Sequence, residues 1–319
     1  MKSDMWVKVS CGYRVHVNSI DMNGSNARVC GGLGFCLDEP RLQVAGRLAD
    51  RDDVPLEMLP LVSEFRHRNE SSNCYELRTL SPLHSHQGLG SSTLLRLCVL
   101  VCLHELANES LTRAEATEYR LGLTSGIGLI GFFEGGLIVD GGYAVVPGSK
   151  VLNGQILGKA APLLFRMPVP EVWTVYLAVP KARQSLDGVD EANFFHRVTP
   201  VSFDHPNRIA YEILMGIMPS LIENNLGEFQ RSLGTIVGLG TKPHETKLHS
   251  RFSSGLLAQM NQDCGFAAVS SLGPSVYSIT DRLIDLVAYR RRFRDFLFIS
   301  SRVANRGYRI ERQIELENA

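Results

Sequence analysis

Alternation of apolar and polar residues predicts that the first part of the chain is mainly β-structure. Residues 6–9 and 13–17 alternate, residues 42–45 have the character of a further strand, and we expect strands through most of residues 6–48. Turn-forming sequences at residues 21–24 and 31–34 interrupt these strands. Later strands are predicted at residues 137–142, 172–179 and 272–279.

Helical patterns lie between and after these strands. Helices are predicted at residues 55–67, 94–103, about 112–119, 208–222, 228–233 and 281–298, the last one basic and amphipathic. Thr112 and Glu115 have the spacing of a capping box at the start of the third helix. This mixed order of elements predicts an α+β chain of two lobes. The prolines at residues 166–170 place the predicted boundary between a domain of residues 1–166 and one of residues 167–319.

The composition argues against several classes of function. The 319 residues carry 33 Lys and Arg against 33 Asp and Glu, so no excess charge favours nucleic acid or an anionic membrane as a partner. The longest apolar helix candidate, residues 94–103, is too short to span a bilayer, and the N-terminus lacks the apolar region of a secretory signal. The seven cysteines include no C-x-x-C pair. We therefore expect a cytoplasmic protein with reduced thiols.

One segment has the character of an anion-binding site. Residues 84–93 read His-Ser-His-Gln-Gly-Leu-Gly-Ser-Ser-Thr and run directly into the apolar helix candidate at residues 94–103. Glycines let the backbone approach an oxyanion closely, and the free N–H groups and dipole of a helix N-terminus attract negative charge. The segment therefore predicts a phosphate or pyrophosphate ligand. The alternative is a surface helix that is capped by a hydroxyl and binds no ligand.

Two other motifs carry less weight. Residues 126–131 match G-x-G-x-x-G, but residues 132–136 do not predict a sustained helix, so we expect no Rossmann dinucleotide site. No P-loop motif G-x-x-x-x-G-K-[ST] occurs. The arginines at positions 290–292, 294, 302 and 306 can hold a phosphate, although a solvated helix face explains them better.

The glycine-rich segment resembles the phosphate loop of the GHMP kinase superfamily, in which a Gly-Leu-Gly-Ser-Ser core precedes a helix. Further blocks are similar, in order, to one branch of that superfamily, the β-ribofuranosylaminobenzene 5′-phosphate synthases. These blocks are residues 14–24 (beginning Arg-Val-His), 31–34 (Gly-Gly-Leu-Gly), 125–142 (containing Ser-Gly-Ile-Gly, Phe-Glu-Gly-Gly and Val-Asp-Gly-Gly) and 270–277 (Ser-Ser-Leu-Gly-Pro-Ser-Val-Tyr). The resemblance spans nearly the whole chain, and it implies a two-lobed GHMP-kinase-like fold and a homodimer.

The resemblance implies ribosyl transfer and not phosphoryl transfer. Enzymes of this branch join the anomeric carbon of phosphoribosyl pyrophosphate to a carbon of a carboxylated, amino-bearing aromatic acceptor, and pyrophosphate and CO₂ leave. Four positions depart from the branch: Thr124 stands where an arginine is common, Val17 and Asn18 differ after the histidine, and Ser92 stands where the branch has a glycine. Relatives in C-nucleoside pathways resemble the same scaffold acting on a carboxylated heteroaromatic ring. The departures favour such a C-nucleoside synthase over the enzyme of methanopterin biosynthesis.

Within this chemistry we expect definite roles for the residues of the blocks. The pyrophosphate is expected on Gly88, Leu89, Gly90, Ser91, Ser92, Thr93, Ser125, Gly126, Ile127 and Gly128, with the Ser92 hydroxyl as a ligand of Mg²⁺. The 5′-phosphate or the acceptor carboxylate is expected on Arg14, His16 and His84. Asp21, Asp140 and His86 are the candidate catalytic residues. Either aspartate can instead cap a turn, and His16 can instead be a core histidine.

Two other functions fit the same sequence. A small-molecule kinase of the superfamily would bind ATP and Mg²⁺ and would need a base near a substrate hydroxyl. The bulky residues 84–87 argue mildly against it, because such kinases usually have small residues there. A protein that kept the fold without catalysis would bind a phosphate ligand without turnover.

Overall fold

The structure, a computed structural model, describes residues 5–80, 87–121, 125–145, 159–182 and 188–316. Within these residues the strands form two antiparallel sheets, and β1 (Trp6–Asp21) and β2 (Arg28–Ala49) are the long strands of the first. Its other strands are β3 (Cys74–Thr79), β4 (Leu137–Asp140), β5 (Tyr143–Ala144), β6 (Leu163–Met167) and β11 (Arg309–Gln313). The second sheet has the order β10 (Phe296–Ser301), β7 (Thr174–Pro180), β9 (Val276–Thr280) and β8 (Ala268–Val269).

The helices pack against these sheets and against each other. In the first half of the chain they are α1 (Leu59–Arg68), α2 (Ser91–Leu106), α3 (Arg113–Glu118) and α4 (Gly126–Glu134). In the second half they are α5 (Gly188–Val198), α6 (Asp204–Glu212), α7 (Met218–Ile222), α8 (Leu226–Val237), α9 (Lys242–Leu248), α10 (Ser250–Cys264) and α11 (Leu286–Arg292). A π-helical turn at Ile213–Ile217 joins α6 to α7, so the predicted helix at residues 208–222 is confirmed as a continuous helical segment.

The predicted domain boundary lies at the end of one strand of the first sheet. β6 ends at Met167 and pairs with β4. The second sheet follows the boundary, but β11 returns to pair with β1 at the edge of the first sheet. The two sheets and their helices give the mixed α+β fold predicted from the sequence. No helix in the described ranges combines the length and apolar character needed to cross a membrane.

The register of β1 against β2 is irregular at the residues that matter for the site. Register shifts occur between Gly12 and Arg14 and between His16 and Asn18. Such bulges bend a strand and redirect its side chains, and they are common next to active sites. On the inner side of the same sheet, α2 is apolar on nearly all sides and lies buried against both strands. This packing fixes the N-terminus of α2 beside Arg14.

The prediction of a long basic helix near the end of the chain is wrong. We expected a helix at residues 281–298, but only Leu286–Arg292 is helical, and Phe296–Ser301 is the edge strand β10. Phe296 and Phe298 are 4% and 2% exposed and Leu297 is 43% exposed, which is the two-residue period of a strand. The G-x-G-x-x-G residues begin α4 (Gly126–Glu134), and this helix ends at Glu134, so residues 132–136 carry no sustained helix, as expected. The described elements around it, α3 before and β4 after, are still not those of a Rossmann unit.

Other local predictions are confirmed. Thr112 and Glu115 form the capping box at α3: the Glu115 N–H donates to the Thr112 hydroxyl at 3.2 Å, and the Thr112 N–H donates to the Glu115 carboxylate at 2.7 Å. All seven cysteines lie in described parts of the chain and are free thiols, as predicted. The sequence patterns missed α5, α9 and α10, all of which lie in the second half of the chain.

Candidate active site

The glycine-rich loop presents an uncapped helix N-terminus. Gly88 and Gly90 have φ of +76° and +70°, a backbone region that side chains with a Cβ rarely adopt. Gly90 is the N-cap of α2, and no side chain of the described residues caps this helix. The alternative of a capped surface helix therefore does not match, because the first-turn N–H groups remain available to an anion.

The side chain of Arg14 lies directly over this loop. Its Nε would be 2.8 Å from a Cβ built on Gly90, and its backbone N–H donates to the Leu89 carbonyl at 3.0 Å. Within the described residues, Nε is buried and has no hydrogen-bond partner. Burial lowers the pKa of the guanidinium, because water no longer stabilises its charge. The Arg14 guanidinium and the positive N-terminus of α2 lie side by side, and a bound anion would stabilise both.

A cavity of about 160 Å³ opens in front of this pair. Of the predicted pyrophosphate residues, it is lined by Gly88, Gly90, Ser91, Ser92 and Thr93. Its remaining lining residues are Arg14, Glu191, Ser271, Leu272 and Gly273. The cavity therefore combines free N–H groups, four hydroxyl-bearing residues and a guanidinium, which is the donor set of a phosphate site.

A second cavity, of about 370 Å³, adjoins the first. Arg14, Glu191 and Ser271 line both cavities, so one cleft connects them. The predicted residues on its wall are Arg14, His16, Ser125, Gly126, Ile127 and Asp140. Sequence reasoning did not identify its apolar and aromatic wall, which is formed by Met22, Cys30, Tyr143 and Phe195. A cavity that is mostly apolar with a few converging polar groups is typical of a small-molecule site.

Asp140 is the buried carboxyl group of the larger cavity. It is 3% exposed, and its Oδ1 accepts a hydrogen bond from the Gly142 N–H at 2.9 Å. A Cβ on Gly126 or Gly32 would lie 2.5 or 2.9 Å from its Oδ2, so these two glycines leave the room that the carboxylate occupies. Burial raises the pKa of Asp140 to about 6, although hydrogen bonds from Gly142 and Gly32 and the charge of Arg28 oppose the shift.

His16 faces the larger cavity as a neutral imidazole. Burial lowers its pKa well below the ordinary value, and the positive charges of Arg14 and Lys242 lower it further. Within the described chain its Nδ1 is buried without a hydrogen-bond partner. The alternative of a satisfied core histidine therefore does not describe it. A neutral ring is a poor binder of phosphate charge, so His16 fits a hydrogen bond to an uncharged or acceptor group better.

Asp21 takes the turn-capping role that the sequence left open. One carboxylate oxygen accepts hydrogen bonds from the N–H groups of Asn23 and Gly24, at 2.7 and 3.2 Å, and the other accepts one from Ser25 at 3.1 Å. Asp21 is not among the residues that line either cavity. This geometry is that of an Asx turn, and we leave Asp21 out of the proposed chemistry.

Several predicted site residues lie elsewhere or cannot be placed. His84 and His86 fall outside the described residues. The side chain of Leu89 is 3% exposed and belongs to the hydrophobic core, so only its backbone faces the loop. The Gly128 N–H donates to the Ser125 hydroxyl at 3.2 Å, which makes Ser125 the cap of α4 and places residues 125–127 on the wall of the larger cavity. The arginines of residues 290–306 line neither cavity.

The loop of residues 270–273 forms one wall of the cleft. It was assigned no role from the sequence. The Ser270 hydroxyl donates to the Gly88 carbonyl at 2.7 Å, and the Ser271 N–H donates to the His16 carbonyl at 3.0 Å. Behind the loop, the fully buried Lys242 donates to the Ser271 carbonyl at 2.9 Å. The similarity of residues 270–277 to the family pattern marked the loop, but no local pattern marks Lys242.

Few protein ligands are present for the expected Mg²⁺. In the described parts of the chain, no three His, Cys, Asp or Glu side chains cluster as a metal site. The smaller cavity offers the hydroxyls of Ser92 and Thr93 and the carboxylate of Glu191. Mg²⁺ commonly takes one or two carboxylates together with substrate phosphates and waters. This set fits a metal held mainly by the phosphates of a bound ligand.

Comparison with solved structures shows the fold. A homoserine kinase from Cytophaga hutchinsonii matches with a TM-score of 0.63 and 13% identity, covering 96% of this chain and 97% of that one. A mevalonate pyrophosphate decarboxylase from Streptococcus pyogenes matches with a TM-score of 0.64 and 12% identity, covering 95% and 98%. The chain has the GHMP-kinase fold, as predicted. At such low identity these structures say nothing about the reaction.

Comparison with known sequences shows the family. No protein-family model matches the chain. A protein from Archaeoglobus fulgidus, named β-ribofuranosylphenol 5′-phosphate synthase, is 32% identical over 314 residues, which cover 93% of this chain and 97% of that protein. A protein of the same name from Methanothermobacter thermautotrophicus is 31% identical over 289 residues, covering 84% and 87%. The glycine-rich loop, Arg14 and Asp140 thus lie in a chain that is similar to these proteins over nearly its whole length, and the protein belongs to the β-ribofuranosylphenol 5′-phosphate synthase family.

Proposed function

We propose that the protein transfers the ribosyl phosphate group of phosphoribosyl pyrophosphate to a ring carbon of a carboxylated phenol, releasing pyrophosphate and CO₂. The observation that carries the proposal is the single cleft in which an anion site and an apolar cavity meet at Arg14. The name of the relatives indicates a hydroxyl-bearing acceptor. In this proposal a phenol therefore replaces the amino-bearing ring that was expected from the sequence.

The smaller cavity suits the leaving pyrophosphate. Its departure places negative charge on the leaving oxygens and positive charge on the anomeric carbon. The N–H groups at the start of α2 and the Arg14 guanidinium face the negative end, and they require no reorganisation when the charge develops. When bound with the donor, Mg²⁺ supplies further neutralisation of this charge.

The Asp140 carboxylate suits the positive end of the reaction. It lies on the wall of the larger cavity, where the ribose and the acceptor ring would meet. A carboxylate in a site that excludes water stabilises an oxocarbenium-like carbon more strongly than it would in water. Its hydrogen bonds to Gly142 and Gly32 hold the carboxylate in place but do not cancel its charge.

The acceptor chemistry requires no base for a ring proton. A bond forms between the anomeric carbon and the ring carbon that bears the carboxylate, while the bond to pyrophosphate breaks and its electron pair leaves with the pyrophosphate. The bond from the ring to the carboxylate then breaks, CO₂ leaves, and that electron pair restores the aromatic ring. The phenol oxygen supports the attack when it is ortho or para to the reacting carbon. Neutral His16, whose Nδ1 has no hydrogen-bond partner among the described residues, can accept a hydrogen bond from that hydroxyl.

A heteroaromatic acceptor, as in C-nucleoside synthesis, is the alternative. Two of the residues that depart from the family pattern, and that favoured this alternative, do not line the larger cavity. Val17 is fully buried in the core. The Asn18 amide donates to the carbonyls of Ile236 and Leu239, at 2.7 and 3.1 Å, and ties β1 to α8. Thr124 falls outside the described residues. The residues that line the larger cavity therefore give no support for a heteroaromatic ring over a phenol.

The proposal is tested by following pyrophosphate and ¹⁴CO₂ release from carboxyl-labelled acceptors in the presence of phosphoribosyl pyrophosphate and Mg²⁺. We expect turnover with 4-hydroxybenzoate or 2-hydroxybenzoate and none with 3-hydroxybenzoate, whose hydroxyl cannot donate electrons to the attacked carbon. Turnover only with 4-aminobenzoate or with carboxylated pyrazoles would move the acceptor class to the alternatives. No release with any acceptor would contradict ribosyl transfer.

Substitution Asp140→Asn is expected to lower kcat at least about tenfold, or about 1.4 kcal/mol in the barrier. Asparagine keeps an oxygen that can accept from Gly142 but loses the negative charge. Steady-state kinetics measure the change, and the KM for the donor should move much less than kcat. A kcat equal to that of the wild type would return Asp140 to a structural role.

The pH dependence follows from the raised pKa of Asp140, about 6. Because the ionised form is the active one and this pKa belongs to the protein without substrate, kcat/KM should fall as the pH is lowered through about 6, and Asp140→Asn should lack this limb. Stability changes in the opposite sense. Between about pH 4 and 6 the folded protein keeps a proton that the unfolded chain has lost. As the pH is raised through this range, the free energy of unfolding of the wild type should therefore fall by roughly 3 kcal/mol relative to that of Asp140→Asn. Denaturant titrations across this range measure the loss, and parallel curves for the two proteins would contradict it.

A further inference from the structure

A fully buried lysine lies behind the cleft without lining it. Lys242 is 0% exposed and is the first residue of α9. Its Nζ forms an ion pair with Glu245 at 2.5 Å and donates to the Ser271 carbonyl at 2.9 Å. The Val269 carbonyl lies at 3.5 Å. The charge of Lys242 is therefore directed at the backbone of the loop of residues 270–273.

The partner of Lys242 is itself held in place. Glu245 is 3% exposed, and its second carboxylate oxygen accepts a hydrogen bond from the Thr241 hydroxyl at 2.6 Å. A buried ion pair of this kind gains little stability over a well-packed apolar pair, because both charges have lost their water. Stability alone is therefore a weak reason for its presence at this point.

The loop that Lys242 contacts joins both halves of the cleft. The Ser270 hydroxyl donates to the Gly88 carbonyl at 2.7 Å and accepts from the His16 N–H at 3.2 Å. Gly88 belongs to the glycine-rich loop of residues 88–93, which we call the anion loop. The Ser271 N–H donates to the His16 carbonyl at 3.0 Å. Ser271 has a φ of +52°, which is unfavourable for a residue with a Cβ. An external contact is needed to hold this conformation, and Lys242 supplies one at the Ser271 carbonyl.

We propose that Lys242 is a positioning residue for ribosyl transfer, which holds the loop of residues 270–273 so that the anion loop and His16 keep their relative places. The proposal rests on the proposed function, since it assumes that the donor occupies both cavities. Lys242 acts through the Ser271 carbonyl and not by contact with substrate. Small displacements of a positioned group lower reaction rates steeply, so loss of this contact is expected to affect donor binding and turnover together.

The experiment compares Lys242→Met with the double variant Lys242→Met/Glu245→Gln. The single variant leaves a buried carboxylate without its partner and is expected to lose much stability. The double variant removes both charges, retains similar volumes and keeps an oxygen for Thr241. We expect its melting temperature to stay within a few degrees of the wild type. The control is Arg47→Met/Glu76→Gln, which removes the ion pairs of the buried Glu76 with Arg47 and Arg78, and none of these three residues lines a cavity.

If Lys242 positions the loop, the folded double variant will show at least about a tenfold higher KM and Kd for phosphoribosyl pyrophosphate and a lower kcat. Its Ser271 amide will exchange hydrogen faster, because the loop is no longer held at the adjacent carbonyl. The control will keep the kinetic constants and exchange rate of the wild type. Wild-type KM, kcat and Ser271 exchange in the double variant would overturn the proposal. Failure of the wild type itself to bind the donor would overturn the proposed function, while the exchange measurement would still report on the loop.

Discussion

Replacement of Gly90 by valine should lower the affinity for phosphoribosyl pyrophosphate at least about 100-fold, or about 2.7 kcal/mol. Two effects combine at this residue. Gly90 has a φ of +70°, which a β-branched residue adopts only with strain. A Cβ there would also lie 2.8 Å from Arg14 Nε and 3.3 Å from Arg14 Cβ, so the guanidinium must leave the helix N-terminus. Calorimetric titration with the donor and Mg²⁺ measures the loss.

The matched control is Gly255→Val in α10. Among the described residues, a Cβ at Gly255 meets no atom within 4 Å beyond the backbone of its own helix, and Gly255 lines neither cavity. It should bind the donor like the wild type. Near-ultraviolet circular dichroism should show that both variants keep a packed core. Unchanged donor affinity in Gly90→Val would remove the anion loop from the account.

Replacement of Arg14 by methionine should cost a similar factor in donor affinity, again about 100-fold. A charge-assisted hydrogen bond to an anion is worth about 1.5–3 kcal/mol, and the guanidinium can form more than one. The free protein should lose little stability, because methionine loses the attraction of Arg14 to Glu191 but also removes a charged group whose buried Nε has no partner among the described residues. Calorimetry and thermal melting of the same sample measure the two quantities.

Lysine at the same position separates charge from geometry. Arg14→Lys keeps the positive charge but cannot form a planar, two-pronged contact with a phosphate. We expect its donor affinity to lie between that of Arg14→Met and that of the wild type. Equal affinity for the donor in Arg14→Met and the wild type would show that Arg14 does not bind the pyrophosphate.

The parts of the site that local sequence could predict are those built by neighbouring residues. Gly88 to Thr93 form the anion loop because the glycines, the hydroxyls and the following helix are all encoded in one short segment. The capping box of Thr112 and Glu115 is predictable for the same reason. Arg14 entered through the family resemblance, since an arginine in a strand carries no signal of its own.

The parts that could not be predicted depend on contacts between distant residues. Asp21 and Asp140 both precede a glycine-containing turn, and no local feature separates them. The structure separates them because Asp140 meets Gly32 and Gly126 from other elements, whereas the Asp21 carboxylate accepts hydrogen bonds from the N–H groups of its own turn. Lys242 reaches the loop 29 residues further along the chain. Phe296 and Phe298 become a strand only because β7 offers an edge to pair with.

A calorimetric comparison of phosphoribosyl pyrophosphate and ATP, each with Mg²⁺, tests whether the cleft of the wild-type protein binds a ribosyl donor or a phosphoryl donor. The cleft described here predicts micromolar binding of phosphoribosyl pyrophosphate and no detectable binding of ATP. Binding of ATP without binding of phosphoribosyl pyrophosphate would contradict the account and would make the protein a kinase of the same fold.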